Sequence, residues 1–231
     1  MTDHDPLIDS ILGLDHMPAT PASEIEQDVK AGEYDQDGRR RPVGAMDSRT
    51  ITRTVAKREL RRLMREDQAV DALTPLPEPG QETFILLAGH FHGIDLITAT
   101  QRIAGCPIAD LQIATLAINR THNTLLADMM DTGRIQAMTM MISTHFAEAS
   151  SPEFNHLKAE IEPRGAKIFT TRNHAKITAM HMADGRKFVI HGSLNLRRCN
   201  SYEQAAITQD ADLWQFACDF IRDAAEGAIH A

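Results

Sequence analysis

The sequence predicts an α/β domain: a mixed sheet flanked by helices on both faces, preceded by a disordered acidic tail and a helix. Three observations lead there. From residue 83 onward, short apolar runs alternate with segments of helical period. Two strand patterns near the C-terminus are joined by Ala183-Asp184-Gly185, a tight-turn sequence. The chain of 231 residues, 42% hydrophobic and 24% charged, is long enough for one principal core.

Residues 1–47 carry short apolar patches separated by Asp, Glu, Gly and Pro. They bury too little apolar surface to offset chain entropy and are expected to be disordered. Residues 48–80 form a helical segment and linker. Ile51, Val55, Leu60, Leu63, Met64, Val70 and Leu73 recur at helical spacing, and Pro75 and Pro77 end the helix. Its six basic residues between 53 and 65 are either a solvated face of a packed helix or a phosphate contact.

The α/β domain occupies residues 81–231. FILLAG (84–89) is its first strand, followed by a helix over HGIDLITATQRIAG. LQIATLAIN (111–119) and a helix over RTHNTLLADMMDTG come next. IQAMTMMIST (135–144), a helix around SPEFNHLKAEIEPRG and AKIFTT (166–171) repeat the alternation. AKITAMHM and RKFVIHGS then form a hairpin in which Asp184-Gly185 supplies positive-φ positions. EQAAITQ is the last strand and ADLWQFACDFIRDAAEG the closing helix, with Trp214, Phe216 and Phe220 read as packing residues. Met130, Met138, Met140 and Met141 are read as core.

Charge narrows the partners. Residues 1–50 hold 11 Asp/Glu against 5 Lys/Arg, so most of the net charge of −8 belongs to the tail. A broad, strongly basic surface is excluded, but a nucleic-acid partner for the main domain is not. Three widely spaced cysteines make neither a disulfide framework nor a paired metal site, which predicts a reducing, cytoplasmic setting. No apolar run has the length of a membrane span, and no basic amphipathic helix offers an interfacial anchor.

The chemistry concentrates in RNHAKITAMHMADGRKFVIHGSLNLRRCNSYEQ (172–204). Strand parity puts His174 and Lys176 on one face and His181 on the other, and the hairpin returns Ser193 and Asn195 towards them. With Glu203, these residues bring an imidazole, an ammonium, a hydroxyl, an amide and a carboxylate to one sheet edge. Such a set can grip and attack a phosphodiester: Lys176 and Asn195 bind the non-bridging oxygens, His174 is the nucleophile and Glu203 orients it. Arg172, Arg197 and Arg198 flank the set and extend phosphate contacts along a polynucleotide. His90 and His92, at the end of the first strand, are placed as cleft-lining residues. No nearby Cys or carboxylate completes a metal site with them, and none is assigned.

The stretch resembles the phospholipase D superfamily, whose signature is His-x-Lys, a downstream Asp, then Gly-Ser-x-Asn. The matching residues are His174, Lys176, Gly192, Ser193 and Asn195, with Glu203 similar to the trailing acidic residue. The resemblance covers about the C-terminal two-thirds of the chain and is similar to single-motif phage and bacterial endonucleases. Two departures stand out: His181 occupies the Asp position, and the gap from Lys176 to Gly192 is four residues longer. An insertion of two residues per strand keeps every side chain on its face.

The resemblance implies metal-independent, cofactor-free phosphodiester cleavage through a phosphohistidine. Its substrate would be nucleic acid, DNA before RNA. A homodimer would supply a second His174, Lys176 and Asn195 across a two-fold axis. The competing expectations are a degenerate module that binds DNA or protein without cleaving, and, further off, a phospholipase.

Overall fold

A computed structural model describes the backbone of residues 48–87, 91–197 and 202–229, with side chains for 60–87, 91–197 and 202–227. The expected disordered tail therefore lies outside the described residues, as do His90, Arg198 and Cys199. Residues 57–231 form one compact unit, and the whole sheet belongs to it.

Helix α1 (Ser48–Leu73) ends just before Pro75, as the proline positions require. Beyond it, strands β1 (Glu82–Leu87), β2 (Ile108–Thr115), β3 (Met138–Ser143) and β4 (Lys167–Thr171) alternate with helices α2 (Gly93–Ala104), α3 (Arg120–Asp131), α4 (Thr144–Ala149) and α5 (Ser151–Ile161). Strands β5 (Ile177–Met182), β6 (Lys187–Gly192) and β7 (Glu203–Gln209) follow, and α6 (Ala211–Ile229) closes the domain.

The seven strands form one sheet in the order β1-β7-β6-β5-β2-β3-β4. β2, β3 and β4 are parallel, and every other neighbouring pair is antiparallel. Parallel neighbours need crossovers, which α3 and α5 provide, whereas the antiparallel half is joined by turns and short loops.

Strand alternation divides the core in two. On one face Leu111, Ile113, Met140, Ile142, Met180, Phe188 and Ile190 pack with residues of α2, α3 and α5, and with Ala69 and Leu73 at the end of α1. On the other, Ala114, Met141, Ala179 and Val189 meet Ala217 and Ile221 of α6. The first face holds most of the large side chains. At about 1.5–3 kcal/mol for each fully buried aliphatic or aromatic group, it carries most of the hydrophobic stabilisation.

Two expectations change. The hairpin turn needs only one positive φ, at Gly185 (92°). Gly185 N–H donates to the Met182 carbonyl and Arg186 N–H to the Asp184 carboxylate, so Asp184 acts as a turn acceptor. Phe216 and Phe220 are also not packing residues: they are 68% and 39% exposed, while Trp214 is half-buried beside His181 and Lys187. Their i, i+4 spacing puts both on a flank of α6 that the sheet does not cover.

Candidate functional site

One edge of the sheet gathers the polar groups. β2, β3, β4, β6 and β1 end there, while β5 and β7 begin there, as the pairings Ile177↔His191, Gly192↔Ala205 and Leu87↔Glu203 require. The carboxyl ends of parallel strands are also where open α/β sheets bind ligands.

His174 and Lys176 do not stand on a strand. β5 starts at Ile177, so strand parity is not what brings the two together. They sit on an extended loop fastened by the buried Asn173. Its Nδ2 donates to the Thr115 carbonyl at 3.2 Å, and its Oδ1 accepts from Ala175 N–H at 2.7 Å. With the loop pinned, His174 is exposed and Lys176 half-buried. The Lys176 ammonium donates to the His174 carbonyl at 2.7 Å and contacts Nδ1 of the ring at 3.2 Å. Burial holds Lys176 below its usual pKa, and the Glu203 carboxylate opposes that shift.

The second limb is the Gly192–Leu196 segment. Ser193 N–H donates to the Gln204 carbonyl at 3.0 Å, and its hydroxyl accepts Gln204 N–H at 2.9 Å. Ser193 therefore clamps β6 to the residue after Glu203. Gly192 has φ 153°, and a Cβ there would lie 2.9 Å from Ala205 Cα and closer still to the Gln204 carbonyl oxygen. Only glycine lets the two strands approach this closely. Asn195 Oδ1 accepts Leu116 N–H at 3.2 Å, which leaves the amide NH₂ as its donor end.

Both limbs meet at Thr115, the last residue of β2. Its carbonyl holds Asn173, and its hydroxyl oxygen accepts Leu196 N–H at 3.4 Å. Beneath them, the buried His122 donates from Nδ1 to the Leu196 carbonyl at 2.9 Å. Burial pushes the His122 imidazole below its ordinary pKa, against the Leu196 bond and the Asp95 charge, so it stays neutral.

Cleft lining is the sequence expectation for His92. Its side chain is only 9% exposed, with Nδ1 3.9 Å from Asp95 and its ring 5.4 Å from that of His122. It is the N-cap of α2, and Asp95 accepts its backbone N–H at 2.8 Å and Arg65 Nε–H at 3.3 Å. It thus supports the site from below. Arg172 and Arg197 are exposed at the rim. His181 faces α6 and tilts against Trp214 at 5.4 Å, off the edge, as its parity predicts.

Asn173, Thr115, His122 and Asp95 position the site, and sequence reasoning did not single them out. Two of them left a signal. His92-x-x-Asp95 has capping-box spacing, and Asn173 is a turn-forming residue directly before the histidine. Among the described residues, no three His, Cys, Asp or Glu side chains are grouped to hold a metal ion. No described helix is long and apolar enough to cross a membrane.

No protein-family model matches the chain, and no curated protein matches it. Solved structures do. The polyphosphate kinase of Porphyromonas gingivalis aligns with TM-score 0.50 and 11% identity, over 67% of this chain and 30% of that one. Nuc from Salmonella typhimurium, a phospholipase D family member, aligns with TM-score 0.45 and 12% identity, over 63% of this chain and 95% of that one. NucT from Helicobacter pylori gives TM-score 0.46 and 16% identity, over 63% and 96%. At these identities the likeness is one of fold.

Proposed function

We propose that the chain is a phosphodiesterase of phospholipase D-like fold that cleaves nucleic acid through a phosphohistidine on His174. The observation that carries the reading is the convergence of His174, Lys176, Ser193, Asn195 and Glu203 on one sheet edge, on two limbs joined at Thr115. Fold alone hosts many chemistries, so the weight rests on these groups.

A phosphate arriving at the edge draws the Lys176 ammonium from the His174 ring, because a charged acceptor binds an ammonium more strongly than a neutral nitrogen does. The Asn195 amide donates to a second non-bridging oxygen. A ring nitrogen of His174 then attacks phosphorus, and its lone pair becomes the P–N bond as the bond to the leaving oxygen breaks. The leaving oxygen takes a proton from His174 of a second copy. Water next attacks phosphorus, the P–N electrons return to the ring, and the proton lost by water restores the second histidine. Lysine and amide donors supply the charge that other nucleases draw from metal ions. Arg172 and Arg197 sit at the rim where neighbouring phosphates of a polynucleotide, DNA before RNA, would lie.

Plasmid and single-stranded DNA incubated with the protein in chelator, beside His174→Ala, test this. Wild type is expected to cleave and the variant to lose at least about a thousandfold in rate. A second reading, a module that binds without turnover, is favoured by His181 at the position of the superfamily aspartate. It prevails if both proteins are inert on DNA and on a chromogenic phosphodiester, yet bind DNA with an affinity that falls steeply with salt.

A further inference from the structure

We propose that the outer edge of β1 takes an extended segment of a partner protein as an added strand, one whose residues read apolar-x-apolar-x-basic. β1 ends the sheet, and among the described residues β7 is its only strand neighbour. In an antiparallel pair every second residue turns both its N–H and its carbonyl away from the partner. Half of the six residues of β1 therefore offer those groups outward, a template for one more strand. Sheet edges are ordinarily blunted by lysine, proline or a bulge. β1 (ETFILL) contains neither residue, and its register with β7 runs unbroken from Glu82 to Leu87. The opposite edge, β4, opens on the exposed Lys167 and shows no exposed large apolar side chain.

The side chains of β1 define what the added strand carries. Alternation puts Glu82, Phe84 and Leu86 on the α6 side of the sheet. Phe84 lies in the row Phe84↔Ala206↔His191↔Ile177, and Ile177 packs with Met141 and Ile221 of α6. Phe84 is nevertheless 59% and Leu86 75% exposed. A strand lying beside β1 places its own side chains directly opposite these three. Antiparallel addition, the slightly more stable pairing, sets one apolar residue against Leu86, a second against Phe84 and a cation against Glu82. The Glu82 side chain is 53% exposed, and His191 Nε2 at 3.8 Å balances its charge only when protonated.

Charge selects among the occupants of such an edge. Residues 74–87 and 202–210, which hold β1, β7 and their approaches, carry Glu78, Glu82, Glu203 and Asp210 and no lysine or arginine. That surface repels nucleic acid and anionic lipid, and neither offers a row of amides and carbonyls. A second copy of the chain would bring the same carboxylates to the seam from both sides, with no cation between them. A basic, extended peptide answers both the open backbone and the charge. Leu87 pairs with Glu203, so the N-terminal end of the added strand arrives beside the candidate site.

Fluorescence anisotropy of a labelled peptide, Gly-Ser-Ile-Thr-Val-Thr-Lys-Ser-Gly, titrated with the full chain tests the edge. Saturable binding is expected, weaker by about tenfold or more in Leu86→Asp, whose exposed position spares the fold. Replacing the peptide's lysine by glutamate should weaken binding to the wild type several-fold, and Glu82→Lys should reverse that preference. Alternate amides of the peptide face β1. N-methylating its isoleucine, valine and lysine, or instead its two threonines, should therefore abolish binding in one case only. Absence of saturable binding, the same result from both N-methylated peptides, or an unreversed preference in Glu82→Lys overturns the proposal. So does a wild type that sediments as a dimer broken by Leu86→Asp, because the edge then belongs to a second copy. Anisotropy is read without turnover, so a chain that binds the peptide but is inert on DNA would sink the chemistry and keep the edge.

Discussion

Lys176 Nζ stands 3.2 Å from Nδ1 of His174 and 2.7 Å from its carbonyl oxygen, so one ammonium grips both the ring and the backbone of its neighbour. Two influences act on that ammonium. Burial lowers its pKa, and the Glu203 carboxylate raises it. The net direction is downward, so Lys176 loses its proton below pH 10.5. If the charged form binds phosphate, the alkaline limb of the pH–rate profile will fall below that value. Glu203→Gln removes the opposing carboxylate and is expected to move the limb to still lower pH. A limb that stays in place in the variant would mean Glu203 does not govern this charge.

Thr115 joins the limbs without facing the substrate. Its carbonyl accepts from Asn173 and its hydroxyl oxygen from Leu196 N–H. Thr115→Val keeps the shape and the carbonyl but deletes the acceptor for the Gly192–Leu196 limb, together with the hydroxyl's own donation to the Ala117 carbonyl. Asn173→Ala frees the His174 loop alone. Each leaves a buried partner unsatisfied, at a cost of about 1–3 kcal/mol in thermal unfolding. Turnover should fall in both. Rescue by Thr115→Ser, which restores the hydroxyl, separates positioning from a loss of stability. Failure of that rescue would mean that the hydroxyl does not position the limb.

The residues that were legible in the sequence follow periodic rules. Apolar runs between helices located all seven strands, because alternation along a pleated strand leaves its mark residue by residue, as in Leu111, Ile113 and Met140 facing one core. His174 and Lys176 were legible as a pair but misplaced. Nothing local distinguishes a strand from an extended loop whose bonds are made by Asn173 to a strand 58 residues away. His92 misled for a related reason: its exposure is set by the α2 cap and by His122, which no spacing reveals. Phe216 matched an amphipathic helix, yet it stands 68% exposed on a flank of α6 that the sheet does not cover. Long-range partners, not local propensity, account for each difference.

Gly192 is the tightest steric point of the site. A methyl group there would press on Ala205 Cα and the Gln204 carbonyl, at a φ of 153° that other residues rarely adopt. Gly192→Ala is expected to cost roughly 2–4 kcal/mol from strain and overpacking together. It should also part β6 from β7, breaking the Ser193 clamp. Amide exchange of Gln204, whose N–H donates to Ser193 Oγ at 2.9 Å, reports this directly. Unchanged protection of that amide would show that β7 yields without releasing the clamp.

The buried imidazole under the site predicts how stability depends on pH. His122 binds its proton less readily in the folded protein than in the unfolded chain, whose histidines titrate near 6.5. The unfolded state therefore takes up the proton first as pH falls, so the stability of the neutral, bonded form is present above about pH 6.5 and lost below it. Each tenfold loss of proton affinity costs about 1.4 kcal/mol once the unfolded chain is protonated. His122→Asn places an amide N–H where Nδ1 donates to the Leu196 carbonyl, and it does not titrate. Melting curves from pH 7.5 to 5 should show the wild type losing Tm more steeply than this variant. Parallel curves would assign the acid sensitivity to other groups.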